Sequence, residues 1–428
     1  MEENQENQEN QEIQSVPKIG IVGFKNIGNT CYMASILQLL IHCKPIIGFV
    51  ANRNGKEAEY KKYIEKAGMY RLAEKERRKQ GLTDPDAKVT IKRADLNEFK
   101  ENLVIDRFSD IVNAMIEKGN SIINPSNFKS CLEQKVKMFR GHQQHDAEEF
   151  LRYALDIMFE EETGIQSSPV INNVPNCISE YNELLISVKE ELSNTQDPEE
   201  RKAIMDRLNE YKRENKNVIN KYEALESMLN VFKKNYNAIT WQIKTFLVET
   251  KTCTVCKNVS SRCENTSILQ IQVVPPYLVN CLDKLIQQDE IEGYDCTVCG
   301  CKQKAISQTK IFRAPKILFI QLKRFKTYMK PQRSIKDDRP IEIPKNLDLN
   351  PYIDETMNTE KNSSNNYKLI GYANHHGDLN FGHYTADCSG LTDSDNWYHH
   401  DDQTVTRWND PDRMNNTDAY VIMYERVD

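Results

Sequence analysis

Two Cys-x-x-Cys turns, Cys253-Thr254-Val255-Cys256 and Cys296-Thr297-Val298-Cys299, stand 39 residues apart in this chain. If their four thiolates share one ion, two distant turns are fixed side by side and the chain between them closes into a loop. Four sulfur donors suit tetrahedral Zn2+, and with every position filled by protein the ion is structural, not catalytic. Redox chemistry is the other use of this spacing, but two copies of the same turn favour the metal. Cys263 and Cys301 lie nearby and are expected to be spare. The reading needs reduced thiols. The N-terminus is acidic and polar, unlike a signal peptide, and no apolar run reaches the length of a membrane span. The expected location is therefore cytoplasmic, nuclear or both, where the 12 cysteines stay reduced.

At 428 residues the chain is expected to form one large elaborated domain or two to three subdomains. A net charge of −6 gives no global basic field, so neither nucleic acid nor a membrane is the expected partner. Residues 3–12 repeat Glu-Asn-Gln with almost nothing apolar. Such a segment buries too little surface to order itself, and 1–18 is expected to be a disordered acidic tail.

From Ile21-Val22-Gly23-Phe24 the chain runs through Asn26-Ile27-Gly28-Asn29-Thr30 to Cys31. Met33, Ile36, Leu37, Leu39 and Leu40 then recur at helical spacing, with Asn29 or Thr30 as a natural cap. Cys31 falls in the first helical turn, where the helix terminus favours the thiolate. Gly28-Asn29 permits a tight turn that presents backbone N–H groups, and Asn26 could add a side-chain donor. A lone cysteine before a helix is more commonly a core residue, so a partner histidine is needed. His383 supplies it, after the glycine-bounded loop 375–382 and at the start of the strand pattern Tyr384-Thr385-Ala386-Asp387-Cys388. A third group must orient that imidazole. Asp401-Asp402 end the following strand pattern, although an Asp pair is as often a turn.

Residues 178–235 differ in character. Tyr181, Leu185, Val188 and Leu192 recur at helical spacing. Asp197-Pro198-Glu199-Glu200 is a strong helix start. Ile204, Leu208, Tyr211, Val218, Tyr222, Leu225, Leu229 and Phe232 follow in one heptad register, with Asn215 at a core position. The pattern predicts a protruding antiparallel hairpin with a coiled-coil seam and a protein partner; ordinary amphipathic helices packed on the main domain are the alternative. After Trp241 the chain turns β-rich, with strands expected at 268–274, 317–325, 367–373, 383–388 and 419–425.

Six blocks of this sequence, in order, resemble the ubiquitin-specific protease family. They are 23–35 (GFKNIGNTCYMAS), 143–151 (QQHDAEEFL), 315–325 (PKILFIQLKRF), 367–372 with 382–386, Trp397-Tyr398, and 419–424. The resemblance implies an α+β, papain-like, hand-shaped fold. It assigns 19–165 to a helical thumb, 240–312 to zinc-binding β fingers and 313–428 to a β-sheet palm, with 178–235 inserted. It implies Cys31 as nucleophile, His383 as base, Asp401 as third member with Asp402 beside it, and Asn26 as oxyanion donor. It also implies that Gln144, Asp146 and Glu149 hold the basic C-terminal tail of ubiquitin.

The implied activity is hydrolysis of the isopeptide or peptide bond after the terminal Gly-Gly of ubiquitin, on ubiquitinated proteins, with no cofactor for catalysis. The alternatives are the same chemistry on a ubiquitin-like modifier and a catalytically silent ubiquitin-binding scaffold. The chain departs from the family pattern at the 178–235 insertion and at three further places. His145 is inserted in the second block. His400 stands where Phe is usual, close enough in sequence to the triad to alter its pH profile. Residues 326–340 are basic and expected to be a mobile loop over the cleft.

Overall fold

The structure is a computed structural model and describes residues 21–55, 69, 72–73, 75–82, 84, 88–101, 103–118, 121–161, 176–235, 238–329, 332–354, 364–378, 382–408 and 415–427. The acidic tail expected at 1–18 lies outside them.

The strand Ile317–Lys323 organises the molecule. Its ILFIQL run is buried on both faces, as a central strand must be. Alternation sends Ile317 and Phe319 to one core and Leu318, Ile320 and Leu322 to another. It lies in an eight-stranded sheet ordered Thr404–Trp408, Trp397–Asp401, Gly382–Ser389, Asn366–Gly377, Ala419–Arg426, Ile317–Lys323 and Ile268–Gln272, with Asn346–Asp348 also paired to Asn366–Gly377. Only Ile268–Gln272 runs parallel to its neighbour. All five expected strands are members of this sheet.

The helix Cys31–Ile41 is buried along its whole length. A helix apolar on every side belongs in a core. It packs on the strands Gly382–Ser389 and Asn366–Gly377 on one side and on the helix Ala147–Glu161 on the other. The expected thumb and palm therefore share one core, in which Leu37 and Phe150 join Ile317 and Tyr384. On the opposite face of the sheet the helix Leu278–Ile286 covers the second core. No single helix among the described residues is long and apolar enough to cross a membrane.

A second, four-stranded antiparallel sheet orders Val259–Thr266, Thr245–Cys253, Cys301–Arg313 and Asp289–Cys296. The finger segment expected at 240–312 is thus discontinuous. Ile268–Gln272 and Leu278–Ile286, which lie inside it in sequence, belong to the central sheet and its core.

The insertion also differs from expectation. Asp197 caps the helix Pro198–Glu214 as foreseen, its carboxylate accepting the Glu199 N–H at 3.1 Å. Asn215 does not sit inside a continuous helix. It ends this helix, and Lys216–Asn235 begins anew. Its side-chain amide bonds the Tyr211 carbonyl at 3.1 Å, which competes with the helical ladder. The helix Asn176–Asn194 packs against both, with Tyr181 stacked on Tyr211 and edge-on to Tyr222. The base of the insertion does not protrude. Ala224, Leu225, Met228 and Phe232 pack on Phe246, Val248 and Phe312 of the four-stranded sheet, and Lys216 reaches Asn258 at 2.5 Å. Only the distal part, around Val188, Ile204 and Leu208, packs solely within itself.

The segment 326–340 is not an open loop in its described part. Phe325–Met329 and Gln332–Lys336 pair as an antiparallel hairpin. Lys336 anchors its end on the His375 carbonyl and the Asp418 carboxylate, both at 2.7 Å.

Candidate active site

The nucleophile candidate is positioned by the turn before its helix. Gly28 has φ +115° and Asn29 φ +52°, conformations that glycine and asparagine tolerate best. Asn26 Oδ1 accepts from the backbone N–H of Gly28 at 3.0 Å and of Thr30 at 3.3 Å, while Thr30 Oγ1 accepts from Ile27 N–H at 3.1 Å. These bonds tie off the loop, and Cys31 opens the helix with an almost wholly buried side chain. A histidine absent from the sequence reading completes the turn. His142 accepts the Asn29 side-chain amide on its carbonyl at 2.8 Å. Its ring lies where a Cβ on Gly28 would stand, 2.3 Å from Nδ1. No motif marked His142 beforehand.

Across the cleft His383 is the second residue of the strand Gly382–Ser389. Its Nε2 meets Asp401 Oδ1 at 2.6 Å. The two strands run antiparallel with Ala386 opposite His400, which brings the strand end at Asp401 back beside His383. The His383 imidazole is raised to about 9, first by its hydrogen bond to the Cys31 side chain and then by Asp401, against the opposing effect of burial. Cys31, His383 and Asp401 thus stand together although the chain separates the first two by most of its length.

Asp402 stands beside that line, a carboxylate oxygen within 4.8 Å of His383 and Asp401, but its hydrogen bonds go elsewhere. Its carboxylate accepts the Asn26 Nδ2–H at 2.8 Å, and its carbonyl accepts Phe24 N–H at 2.7 Å. It fixes Asn26, whose amide nitrogen stands at the nucleophile turn, and so acts through Asn26.

The three residues expected to meet a basic peptide tail divide. Gln144 grips the backbone of Gly382, donating to its carbonyl at 2.8 Å and accepting its N–H at 3.4 Å. It therefore steadies the residue before His383. Asp146 caps the helix Ala147–Glu161, accepting Glu148 and Glu149 N–H on one oxygen and the Tyr420 hydroxyl on the other at 2.5 Å. Gln144 is the most open of the three, while Glu149 is half-buried, with Arg152 at 3.6 Å. His145 turns inward and packs edge-on against Tyr32 and Phe139.

His400 does not touch the triad. Strand alternation points it opposite to Asp401, into the core, where it is 2% exposed and burial holds it well below the ordinary imidazole value. The pH behaviour of the cleft rests on His383. Below about 9 the ring holds the proton that a leaving amine needs; above it the proton is lost. Turnover is expected to fall as pH rises through about 9. Asp401→Asn removes one of the groups that raise His383 and should move that falling limb to lower pH. An unmoved limb would sever Asp401 from the imidazole.

At the far end of the four-stranded sheet the sulfurs of Cys253, Cys256, Cys296 and Cys299 lie within 4.8 Å of one another. Two contacts measure 3.9 Å (Cys253–Cys299) and 3.4 Å (Cys256–Cys296). Zinc–sulfur bonds of about 2.3 Å in a tetrahedron set sulfurs about 3.8 Å apart, so the set fits a metal ion. The Cys299 N–H donates to Cys296 and pulls its thiol down to about 6, while the Cys256 hydrogen bond pushes Cys299 up to about 12. Four crowded sulfurs cannot all ionise unless a cation joins them. Cys301 pairs with Cys296 across the strands and is exposed, and Cys263 lies mid-strand beside Val248. Neither is in the cluster.

The profile of the ubiquitin carboxyl-terminal hydrolase family matches residues 22–424. A mimivirus protein from Acanthamoeba polyphaga mimivirus, named "Probable ubiquitin carboxyl-terminal hydrolase R319", is 27% identical over 96% of this chain and 91% of its own length. Ubiquitin carboxyl-terminal hydrolase 2 of Bos taurus is 24% identical over 95% of this chain; the match spans 55% of that protein. Among solved structures, Ubp8 in a "SAGA Ubp8/Sgf11/Sus1/Sgf73 DUB module bound to ubiquitin aldehyde" superposes with a TM-score of 0.61 at 19% identity, covering 96% of this chain and 70% of that one. With the profile running from the nucleophile turn to the last strand of the central sheet, the chain belongs to the ubiquitin carboxyl-terminal hydrolase family.

Proposed function

We propose that this chain is a cysteine-type deubiquitinase that cleaves the isopeptide or peptide bond after the C-terminal Gly-Gly of ubiquitin. The observation that carries the reading is the cysteine–imidazole–carboxylate line, with an amide donor held beside the nucleophile. The Cys31 thiolate attacks the glycine carbonyl. Asn26 Nδ2, with one hydrogen held by Asp402, offers the other to the oxyanion together with the Cys31 N–H. As the carbon–nitrogen bond breaks, His383 gives its proton to the departing amine. A thioester remains. His383 then takes a proton from water, whose oxygen attacks the thioester carbonyl and releases the carboxylate and the thiolate. Asp401 keeps the ring oriented through both steps.

In this reading Glu149 attracts the basic tail of ubiquitin, with Gln144 and Asp146 shaping the wall behind it. The ubiquitin attached to proteins is the partner, and the distal part of 176–235 is open to a further protein. The 12 cysteines, all free, fit a reducing compartment, cytoplasm or nucleus.

The test is hydrolysis of a ubiquitin C-terminal amide, run beside amides of ubiquitin-like modifiers. Ubiquitin is expected to be cleaved at the highest kcat/KM. Turnover of another modifier in preference, or binding of ubiquitin without turnover, would replace this reading.

For the four-cysteine cluster we propose one structural zinc. It would clamp two hairpins whose tips carry the exposed Val255 and Val298, and would supply only rigidity there. The purified chain should contain zinc. Cys296→Ser, which disrupts this cluster alone, should raise KM for ubiquitin more than it lowers kcat, because the cluster lies on the four-stranded sheet and the triad on the central one. Equal loss in both parameters would tie the metal to the chemistry.

A further inference from the structure

Beneath the catalytic centre lies a second group of potential ligands, which the reaction does not use. His42, Cys388 and His400 are 2%, 0% and 2% exposed, and their ligand atoms all lie within 4.8 Å of one another. The two imidazole rings meet at 5.1 Å between centroids, inclined by 64°. We propose that these three residues form a second metal site, taking a soft d10 ion, zinc or copper(I).

Three observations carry it. First, His42 Nδ1 lies 2.7 Å from the Gln38 carbonyl. A carbonyl only accepts, so the proton is on Nδ1 and the Nε2 lone pair is turned to the cluster. A histidine that donates one ring N–H to a carbonyl and presents the other nitrogen has the arrangement of a metal ligand. Second, His400 is buried, with the Val22 carbonyl beside one ring nitrogen and no hydrogen-bond partner for the other. Buried polar side chains are normally satisfied, and an ion at the cluster would satisfy that second nitrogen. Third, the donor set is one sulfur and two imidazole nitrogens, which selects d10 zinc or copper(I) over harder cations. With the thiolate of Cys388, copper(I) leaves the site neutral and zinc leaves a single positive charge, either of which a buried site accepts more readily than a bare dication.

The position gives the site a consequence. His42 caps the helix that Cys31 opens. Cys388 lies on the strand that carries His383, and His400 directly precedes Asp401. One ion would therefore join the three elements that bring nucleophile, base and orienting carboxylate together. The proposal does not rest on ubiquitin being the substrate.

The experiment uses the full chain, stripped of metal under reducing conditions, reloaded with zinc and freed of excess. Metal per chain is then measured for the wild type and for His400→Phe. Phe is the usual residue of the resembled family at this position, and it fills the space without a donor. A thermal melt checks that each protein is folded, and Cys388→Ala serves as a second variant. Loading is repeated with copper(I). The wild type is expected to hold about two ions per chain and each variant about one, the remaining ion being that of the four-cysteine cluster. An excess in the wild type with zinc, or with copper(I) alone, identifies the ion. Equal metal content in the wild type and the folded variant, under both metals, overturns the proposal.

Discussion

Cys31→Ala is expected to reduce hydrolysis of a ubiquitin C-terminal amide to background, a loss of about 10⁴-fold or more. The thiolate is the only atom in the line that can hold the acyl group, and neither His383 nor Asp401 can take its place. Among the other cysteines Cys43 and Cys388 are wholly buried, with thiols that burial pushes well up. Four more are committed to the cluster on the second sheet. The fold should survive, because removing one buried sulfur leaves a small cavity that costs about 1 kcal/mol. Ubiquitin should still bind, so the variant should inhibit the wild type by competing for substrate. Retained turnover in Cys31→Ala would move the nucleophile elsewhere.

The second large effect is expected from Gly28→Ala, which touches no reacting atom. At φ +115° an alanine is strained by its own backbone. Its Cβ would also stand 2.3 Å from His142 Nδ1, with the His142 carbonyl still holding Asn29. The exposed His142 ring can turn aside, so the backbone strain is the larger effect and is what shifts the turn. Cys31 and Asn26 sit on that turn, and a displacement of about 1 Å at a reacting centre costs about 10²-fold in rate. The loss should appear in kcat, with KM and the melting temperature changed much less. His142→Ala in the same chain removes the clash but not the backbone strain, and should recover part of the rate. An undiminished kcat in Gly28→Ala would mean that the turn does not position the nucleophile.

How much of this was legible beforehand follows from what kind of signal each part carries. The helix of Cys31 and the strand Ile317–Lys323 are long apolar runs, and burial on every side admits few alternatives. The four cysteines announce themselves by spacing alone. The proposed nucleophile and base were legible because their turn chemistry is local: Gly28-Asn29 before Cys31, and Gly382 before His383. What sequence missed depends on contacts between distant segments. His142 carries no mark of its own, and only the folded chain sets it against Gly28. Asp402 looked like a partner of Asp401, yet its left-handed backbone, at φ +48°, turns it to Asn26. Asn215 fitted a heptad position, but its amide prefers the Tyr211 carbonyl and breaks the helix. His400 was judged by its neighbour in sequence. Strand alternation places it on the other side of the sheet.

The account stands on Cys31 acting with His383, and the most direct measurement is labelling by ubiquitin carrying a C-terminal electrophile, with the modified residue identified by mass spectrometry in the wild type and in His383→Ala. One adduct on Cys31 is predicted, formed about 10²- to 10⁴-fold more slowly once the imidazole is gone. An adduct on any other cysteine, or equal rates in the two proteins, would contradict it.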